Sequence, residues 1–175
     1  MQCGRFATKK WKLNESFFEK IDNENKAYWL GFCFADAYNS GDELILQLSI
    51  KDKKHLSILA ADLSSNQKIK NVIGKNPSAK IRFGSRKLCN DLIILGCIPL
   101  KSKVVKFPII DKNMQRHFIR GVFDGDGSIS YWNNNKKNGK FSLVGTFDFL
   151  EKIKSHKILT GSFQARFEEF LLGYN

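Results

Sequence analysis

One segment of this sequence recurs in a looser copy, and the repeat limits the available folds more than any other feature. Residues 118–130 read Phe-Ile-Arg-Gly-Val-Phe-Asp-Gly-Asp-Gly-Ser-Ile-Ser, and residues 28–38 read Tyr-Trp-Leu-Gly-Phe-Cys-Phe-Ala-Asp-Ala-Tyr. Each segment has two small residues four positions apart, followed directly by an aspartate. The aligned pairs are Gly31 with Gly121, Ala35 with Gly125, and Asp36 with Asp126, an offset of 90 residues (126 minus 36).

Small residues four positions apart lie on one face of a helix. Two helices with such faces can approach more closely than the usual interaxial distance of about 8–10 Å. Their aspartates then meet at the carboxyl ends of the helices, where the backbone already carries negative partial charge. We therefore predict a bound divalent cation of the hard, oxygen-seeking magnesium type. A simple turn at 124–127 is the alternative, whereas an EF-hand loop is rejected because Ile129 and Asn135 replace its Gly and Glu.

The two segments resemble the motif of the LAGLIDADG homing endonucleases. The resemblance implies an α+β fold of two pseudo-symmetric αββαββα halves, packed through the two motif helices, with antiparallel sheets that form a DNA-binding saddle. It implies that Asp36 and Asp126 are catalytic and hold Mg²⁺ or another divalent cation, with backbone atoms of Ala37 and Gly127 as further ligands. Two residues differ from the motif: Phe34 replaces its earlier Asp, and Ala37 replaces its closing Gly, which can distort the turn that directs Asp36.

Family members of this type hydrolyse both strands of a long double-stranded DNA target. We therefore expect a monomeric, metal-dependent DNA endonuclease encoded by a phage, an intron or another mobile element. A catalytically degenerate DNA- or RNA-binding protein, such as an intron-splicing helper, is the main alternative. Two nuclease types have weaker support: a restriction-type site at Glu24-Asn-Lys26, because three-residue patterns are common, and a histidine-metal site, because the three histidines are scattered.

The charge of the chain favours a polyanionic partner. Lys and Arg total 29 and Asp and Glu total 17, so the formal net charge is +12. This surplus indicates nucleic acid before a membrane surface. The start of the chain lacks the apolar run of a signal peptide, and the stretch 92–100 is too short to span a bilayer. Because the four cysteines lack metal-type spacing, we expect buried, reduced thiols and an intracellular location.

Hydrophobic periodicity and helix caps predict the remaining elements. Predicted helices span 24–36, 52–64, 85–95 and 147–157, and predicted strands span 43–51, 68–73, 78–83, 128–132, 140–144 and a last hairpin at 163–172. In the family, the polar face of such a sheet contacts DNA. The candidate DNA-binding residues are Gln47, Ser49, Lys51, Lys80, Arg82, Lys136 and Lys137. A solvent-exposed polar face is the alternative for all of them.

We divide the chain into a basic N-terminal arm and lead-in (1–23), a first half (24–97), a linker (98–114) and a second half (115–175) that is expected to lack its closing helix. The linker sequence Lys106-Phe-Pro is similar to the Lys-x-Pro of intein-type family members, whose lysine lies near the scissile phosphates. The resemblance therefore adds Lys106 to the catalytic residues, with a solvated linker lysine as the alternative. The short second half favours the degenerate protein, whereas the intact Asp36 and Asp126 favour the enzyme.

Overall fold

The computed structural model describes residues 11–99, 105–131 and 139–156, and these form an α+β fold. The first half has the predicted order αββαββα, and a helix, two strands and a helix follow in the second half. The elements are α1 (Glu24–Asp36), β1 (Ala37–Asn39), β2 (Glu43–Ser49), a 3-10 turn (Ile50–Asp52), α2 (Lys53–Asp62), β3 (Lys70–Val72), β4 (Ser78–Gly84), α3 (Arg86–Ile94), α4 (Lys112–Asp126), β5 (Ser128–Tyr131), β6 (Gly139–Ser142) and α5 (Phe147–Lys154). The predicted last hairpin lies outside the described residues.

Both helices that carry the repeated segment begin at a side-chain cap. Asn23 Oδ1 accepts a hydrogen bond from the Lys26 N–H at 3.0 Å, and Asp111 Oδ1 accepts one from the Asn113 N–H at 2.8 Å. These bonds satisfy N–H groups that have no partner within the helix. The α1 helix spans the predicted residues, and α4 begins at Lys112, inside the predicted linker. The division into arm, halves and linker stays a prediction.

Four antiparallel strands form one sheet in the order β1-β2-β4-β3, and β5 and β6 form a second sheet of two strands. Leu46 lies opposite Ile81 in the central strand pair, and both side chains are buried. The next pair, Gln47 and Lys80, points to the opposite face, because side chains alternate along a strand. This outward face is the surface that the sequence predicts for DNA contact, and α2 and α3 pack on the apolar face.

The helices α1 and α4 pack with backbone against backbone at the centre of the fold. A Cβ atom added to Gly31 would lie 2.0 Å from the Phe118 carbonyl oxygen, and one added to Gly121 would lie 2.0 Å from the Tyr28 carbonyl oxygen. Only glycine permits this approach. The two contacts are reciprocal, since Tyr28 and Phe118 are also 90 residues apart (118 minus 28). The predicted pseudo-symmetric packing of the two repeated helices is thus confirmed.

The core is continuous around this helix pair, and the described cysteines belong to it. Cys33, Cys89 and Cys97 are reduced thiols and fully buried, as predicted, and Cys3 lies outside the described residues. Burial raises the pKa of the Cys89 thiol to about 11, so it is not a nucleophile at neutral pH. None of the described helices has both the length and the apolar character needed to cross a bilayer.

Candidate active site

The two motif helices end at their aspartates, and the chain leaves both in the same way. Neither the last turn before Asp36 nor the last turn before Asp126 contains a basic residue. The next residue is extended in both cases, with φ −89° and ψ 141° at Ala37 and φ −75° and ψ 148° at Gly127. Ala37 therefore adopts nearly the same conformation as its glycine counterpart. The distorted turn considered from the sequence is not formed at Ala37.

Asp36 lies in a cleft of about 500 Å³ between the helix ends and β2, which we call the first cleft. Its carboxylate reaches the partner helix, because Oδ2 lies 3.0 Å from the position of a Cβ added to Gly125. Two predicted DNA-binding residues, Gln47 and Ser49, also line this cleft. The other polar lining residues are Tyr28, Asp52, His55 and Asp124. The fold thus brings Asp36 together with one end of the predicted DNA-contacting strand.

A hydrogen-bonded chain joins α2 to the end of α4 across the first cleft. Tyr28 Oη donates to Asp124 Oδ2 at 2.8 Å, and His55 Nε2 lies 3.1 Å from the same Oη. Since the single hydroxyl proton goes to the carboxylate, the imidazole donates its Nε2–H to Oη. The Arg120 guanidinium lies 4.8 Å from the centroid of the Tyr28 ring, in a cation–π contact. These hydrogen bonds fix the orientation of the Asp124 carboxylate.

The surroundings of these hydrogen-bonded groups keep the Tyr28 phenol and the His55 imidazole uncharged. Burial, reinforced by the hydrogen bond to Asp124, raises the pKa of the Tyr28 phenol. Burial lowers the pKa of the His55 imidazole against the attraction of nearby carboxylates. The His55 ring packs against Trp29 and Phe32 at centroid distances of 4.8 and 4.6 Å. His55 is therefore neutral at pH 7 and presents a fixed N–H donor to Tyr28.

Asp126 lies in a separate cleft of about 360 Å³, which we call the second cleft. Its described lining is mostly apolar and includes Phe34, Val105 and Phe149. The Phe34 ring packs edge to face against Phe118 at a centroid distance of 5.1 Å. The fold therefore brings the two motif helices together as the sequence predicts, but their aspartates line two different clefts.

Several basic side chains line a groove of about 520 Å³ at the edge of the outward sheet face, which we call the basic groove. Lys80 and Arg82, both predicted to contact DNA, line it together with Lys70 and Trp11. Lys70 and Lys80 are direct partners across β3 and β4, an arrangement of like charges that destabilises a strand pair. Arg82 also pairs with Glu43 at 2.5 Å. A polyanion in the groove would offset the repulsion between the two lysines.

The other predicted site residues are exposed or lie outside the described part of the chain. Lys51 is exposed in the 3-10 turn, because β2 ends at Ser49 and the strand alternation stops there. Lys106 is exposed, and its neighbour Val105 lines the second cleft. Lys136 and Lys137 lie outside the described residues.

The sequence patterns do not indicate four polar residues of the first cleft: Tyr28, Asp52, His55 and Asp124. A signal for two of them exists in the repeat, because the alignment places Tyr28 opposite Phe118 and Phe34 opposite Asp124. The copies thus differ in polarity at two positions. His55 has no such signal, because its contact with Tyr28 depends on the packing of α2 against α1.

The donor set of the clefts fits Mg²⁺ in the presence of phosphate. Among the described residues, no three His, Cys, Asp or Glu side chains are grouped to hold a metal ion. Mg²⁺ usually takes one or two protein carboxylates and fills its remaining positions with water and substrate phosphates. The first cleft supplies the carboxylates of Asp36 and Asp124, and the second supplies that of Asp126. These donors therefore suit a Mg²⁺ ion that also binds a phosphate group.

No protein-family model and no curated protein matches the sequence. Among solved structures, the LAGLIDADG meganuclease I-CpaMI bound to uncleaved DNA is 14% identical, with a TM-score of 0.36 and coverage of 68% of this chain and 67% of that one. I-DmoI in complex with DNA and Ca is 19% identical, with a TM-score of 0.38 and coverage of 66% and 60%. The chain thus spans 60–67% of the length of these proteins. The resemblance of this chain to the LAGLIDADG homing endonucleases rests on its two motif segments.

Proposed function

We propose that this protein is a site-specific endonuclease that hydrolyses phosphodiester bonds on both strands of a long double-stranded DNA target with a divalent cation. The observation that carries the proposal is the close packing of two helices that both end at a motif aspartate, Asp36 in one and Asp126 in the other. The basic groove on the sheet adds support for a DNA partner. An acid at a helix carboxyl end is unfavourable by itself. A cation that also binds DNA phosphate offsets that cost at both ends.

In this mechanism, Asp36 and Asp126 hold Mg²⁺, with backbone atoms of Ala37 and Gly127 as further donors. A bound Mg²⁺ lowers the pKa of water and stabilises negative charge on a phosphate. The outward sheet face and the basic groove bind the DNA backbone, and Lys106 adds a cation near the phosphate in the transition state. Hydrolysis of each strand joins a water oxygen to phosphorus and breaks the bond to the leaving deoxyribose oxygen, which takes up a proton.

We propose that the enzyme acts as a monomer, because one chain supplies both motif helices. It retains the division into an arm (1–23), two halves (24–97 and 115–175) and a linker (98–114). It also retains Gln47, Ser49, Lys51, Lys80, Arg82, Lys136 and Lys137 as DNA-binding residues. The outward direction of the pair Gln47 and Lys80 supports this assignment.

A second candidate is a DNA- or RNA-binding protein without catalysis. The apolar lining of the second cleft favours it, because Phe34 stands where the motif has an acid. Such a protein keeps the basic groove and needs no cation. The restriction-type alternative gains nothing from the structure, since Glu24 lies at the opposite end of α1 from Asp36 and pairs with Arg116 at 3.4 Å.

Selection of cleaved molecules from a randomised DNA library, in Mg²⁺ and in chelator, tests the proposal. We expect recovery of one long site in Mg²⁺ and of none in chelator. Salt-sensitive DNA binding without any cleavage, in Mg²⁺ or Mn²⁺, would select the second candidate. A protein that neither binds nor cuts DNA would contradict both.

The basic groove gives a separate prediction for DNA affinity. Replacing Lys80 and Arg82 together by Ala should weaken binding at low salt and reduce the slope of log affinity against log salt by up to about 2, one per lost phosphate contact. Glu43 already neutralises part of the Arg82 charge. We therefore expect the loss of Arg82 to reduce the salt slope by less than the loss of Lys80. Fluorescence anisotropy with a labelled duplex, titrated at several salt concentrations between about 50 and 200 mM, measures the slope.

Replacing Lys87 of α3 and Lys152 of α5 by Ala provides the matched control, because it also removes two positive charges. Lys87 is already paired with Glu19 at 2.8 Å. The control double alanine variant should keep the wild-type salt slope within about 0.5. Equal slopes for the two double variants would remove the basic groove from the DNA interface.

A further inference from the structure

The basic groove follows the part of β4 that extends past the end of β3. Strand β3 pairs with β4 as far as Lys80, and Arg82 and Gly84 follow it along β4. These three residues lie on the same outward face, because side chains alternate along a strand. Trp11 and Leu13, from the segment before α1, line the groove beside them. The groove therefore combines a basic strand face with an aromatic and an aliphatic side chain.

The segment that carries Trp11 is tied to the folded first half by two backbone hydrogen bonds. The Lys12 N–H donates to Asn66 Oδ1 at 2.7 Å, and the Asn14 N–H donates to the Leu63 carbonyl oxygen at 2.8 Å. Both acceptors lie directly after α2. These bonds hold the backbone on either side of the tryptophan at the border of the groove, so the aromatic side chain is a fixed part of its lining.

Gly84 leaves open space over the strand inside this groove. A Cβ atom added to Gly84 would meet no atom of the described residues within 4 Å. Its partner across the sheet, Glu43, is held in an ion pair with Arg82. A flat ring can therefore lie directly against the backbone at Gly84. The volume of about 520 Å³ is within the range of about 300–1,000 Å³ that small-ligand sites have.

The lining of the groove offers more than contacts to the phosphates of a duplex. Lys68, Lys70 and Lys80 supply cations, and phosphate contacts need only such charges and hydrogen-bond donors. Trp11 and Leu13 add apolar surface that a phosphate does not use. In a duplex the bases are stacked inside the helix, whereas proteins that bind single strands combine a basic groove with aromatic side chains on which unpaired bases stack. The lining therefore fits a nucleotide whose base is free to leave a stack.

We propose that the basic groove is a binding site for single-stranded nucleic acid, in addition to the duplex contacts given above. An unpaired base lies against Gly84 and stacks on Trp11. Its phosphates contact Lys70 and Lys80, whose mutual repulsion across β3 and β4 they offset. The carboxamide of Gln67, which also lines the groove, can donate and accept hydrogen bonds along the edge of the base.

Two labelled strands with the same number of phosphates test the proposal by fluorescence anisotropy in chelator. One strand is made of about 12 thymidines, within the site sizes of single-strand binding folds, and the other has an abasic residue at every position. Wild-type protein should bind the thymidine strand about 5- to 150-fold more tightly, the effect of one stacked base. Trp11→Ala should remove this preference and leave the affinity for the abasic strand unchanged.

A second variant tests the same site without removing an aromatic side chain or a charge. Gly84→Val fills the open space over β4, and valine suits a strand, so it should also abolish the preference for the thymidine strand. Gly74→Val is the matched control, because a Cβ added there likewise meets no described atom within 4 Å and Gly74 does not line the groove. It should keep the wild-type preference. Lys70→Ala should weaken the binding of both strands by the same factor, because both carry phosphates.

The comparison of the two strands separates the proposal from general attraction between a basic protein and a polyanion. Equal binding of the thymidine and abasic strands by the wild type would show that the groove holds phosphates alone and would overturn the inference. A preference for the thymidine strand that survives in both Trp11→Ala and Gly84→Val would overturn it as well, because the base would then bind elsewhere. A uridine strand of ribonucleotides, measured in parallel, shows whether the preferred source is DNA or RNA. The assay contains no divalent cation and no cleavage step, so its result does not depend on the endonuclease proposal.

Discussion

Asparagine at either motif aspartate is expected to slow the formation of linear, doubly cut DNA by about a thousandfold, the upper end of the loss seen when one transition-state-stabilising group is removed. Asp36→Asn and Asp126→Asn keep the size of the side chain and the helix end. Each removes the negative charge that would hold a cation against phosphate. Because both strands must be cut to give the linear product, either substitution alone is sufficient. Gel analysis of a plasmid substrate in Mg²⁺ measures the rate.

DNA affinity should stay within about threefold of the wild type in both variants, or improve, because a carboxylate beside DNA repels its phosphates. The basic groove lies on the outward sheet face and is untouched by these changes. Asp148→Asn provides the matched control for loss of an exposed carboxylate and should keep the wild-type rate. Wild-type cutting by both Asp36→Asn and Asp126→Asn would show that neither residue holds a catalytic cation.

The sequence predicts most of the first half, because its signals are local. The predicted helices 24–36 and 85–95 agree with α1 and α3 within one residue at each end. Asn23 caps the first, and Gly96, with φ +98°, follows the second. Strand ends are less predictable. The apolar alternation continues to Ile50, but the strand ends at Ser49, because the chain turns there into a 3-10 segment.

The site is predictable only in part, because its geometry is set by tertiary packing. The repeat identifies Asp36 and Asp126, but their separation into two clefts depends on how β2, α2 and α5 pack around the helix pair. His55 enters the first cleft from another helix, and neither its neighbours nor its spacing distinguishes it from His117 and His156 in the sequence. Local patterns therefore give the motif residues, whereas contacts between elements select their partners.

The glycines of the helix pair give the largest expected effect on stability. Gly121→Ala should lower the free energy of unfolding by about 3 kcal/mol, the upper end of the cost of overpacking. The added Cβ would lie 2.0 Å from the Tyr28 carbonyl oxygen and 2.8 Å from the Phe32 nitrogen. Both are backbone atoms of α1, so no side chain can rotate away and the helices must separate. Urea unfolding, followed by tryptophan fluorescence, measures the change, because unfolding exposes the buried Trp29.

The sign of this effect separates packing from helix propensity. An alanine inside a helix normally stabilises it by about 1 kcal/mol relative to glycine, so propensity alone predicts a more stable Gly121→Ala protein. Gly74→Ala is the control, because nothing lies within 4 Å of a Cβ added there, and it should change stability by less than about 0.5 kcal/mol. A Gly121→Ala variant as stable as the wild type would mean that α1 and α4 do not pack backbone to backbone. The clefts at the helix ends would then lose their structural basis, since their shapes depend on that packing.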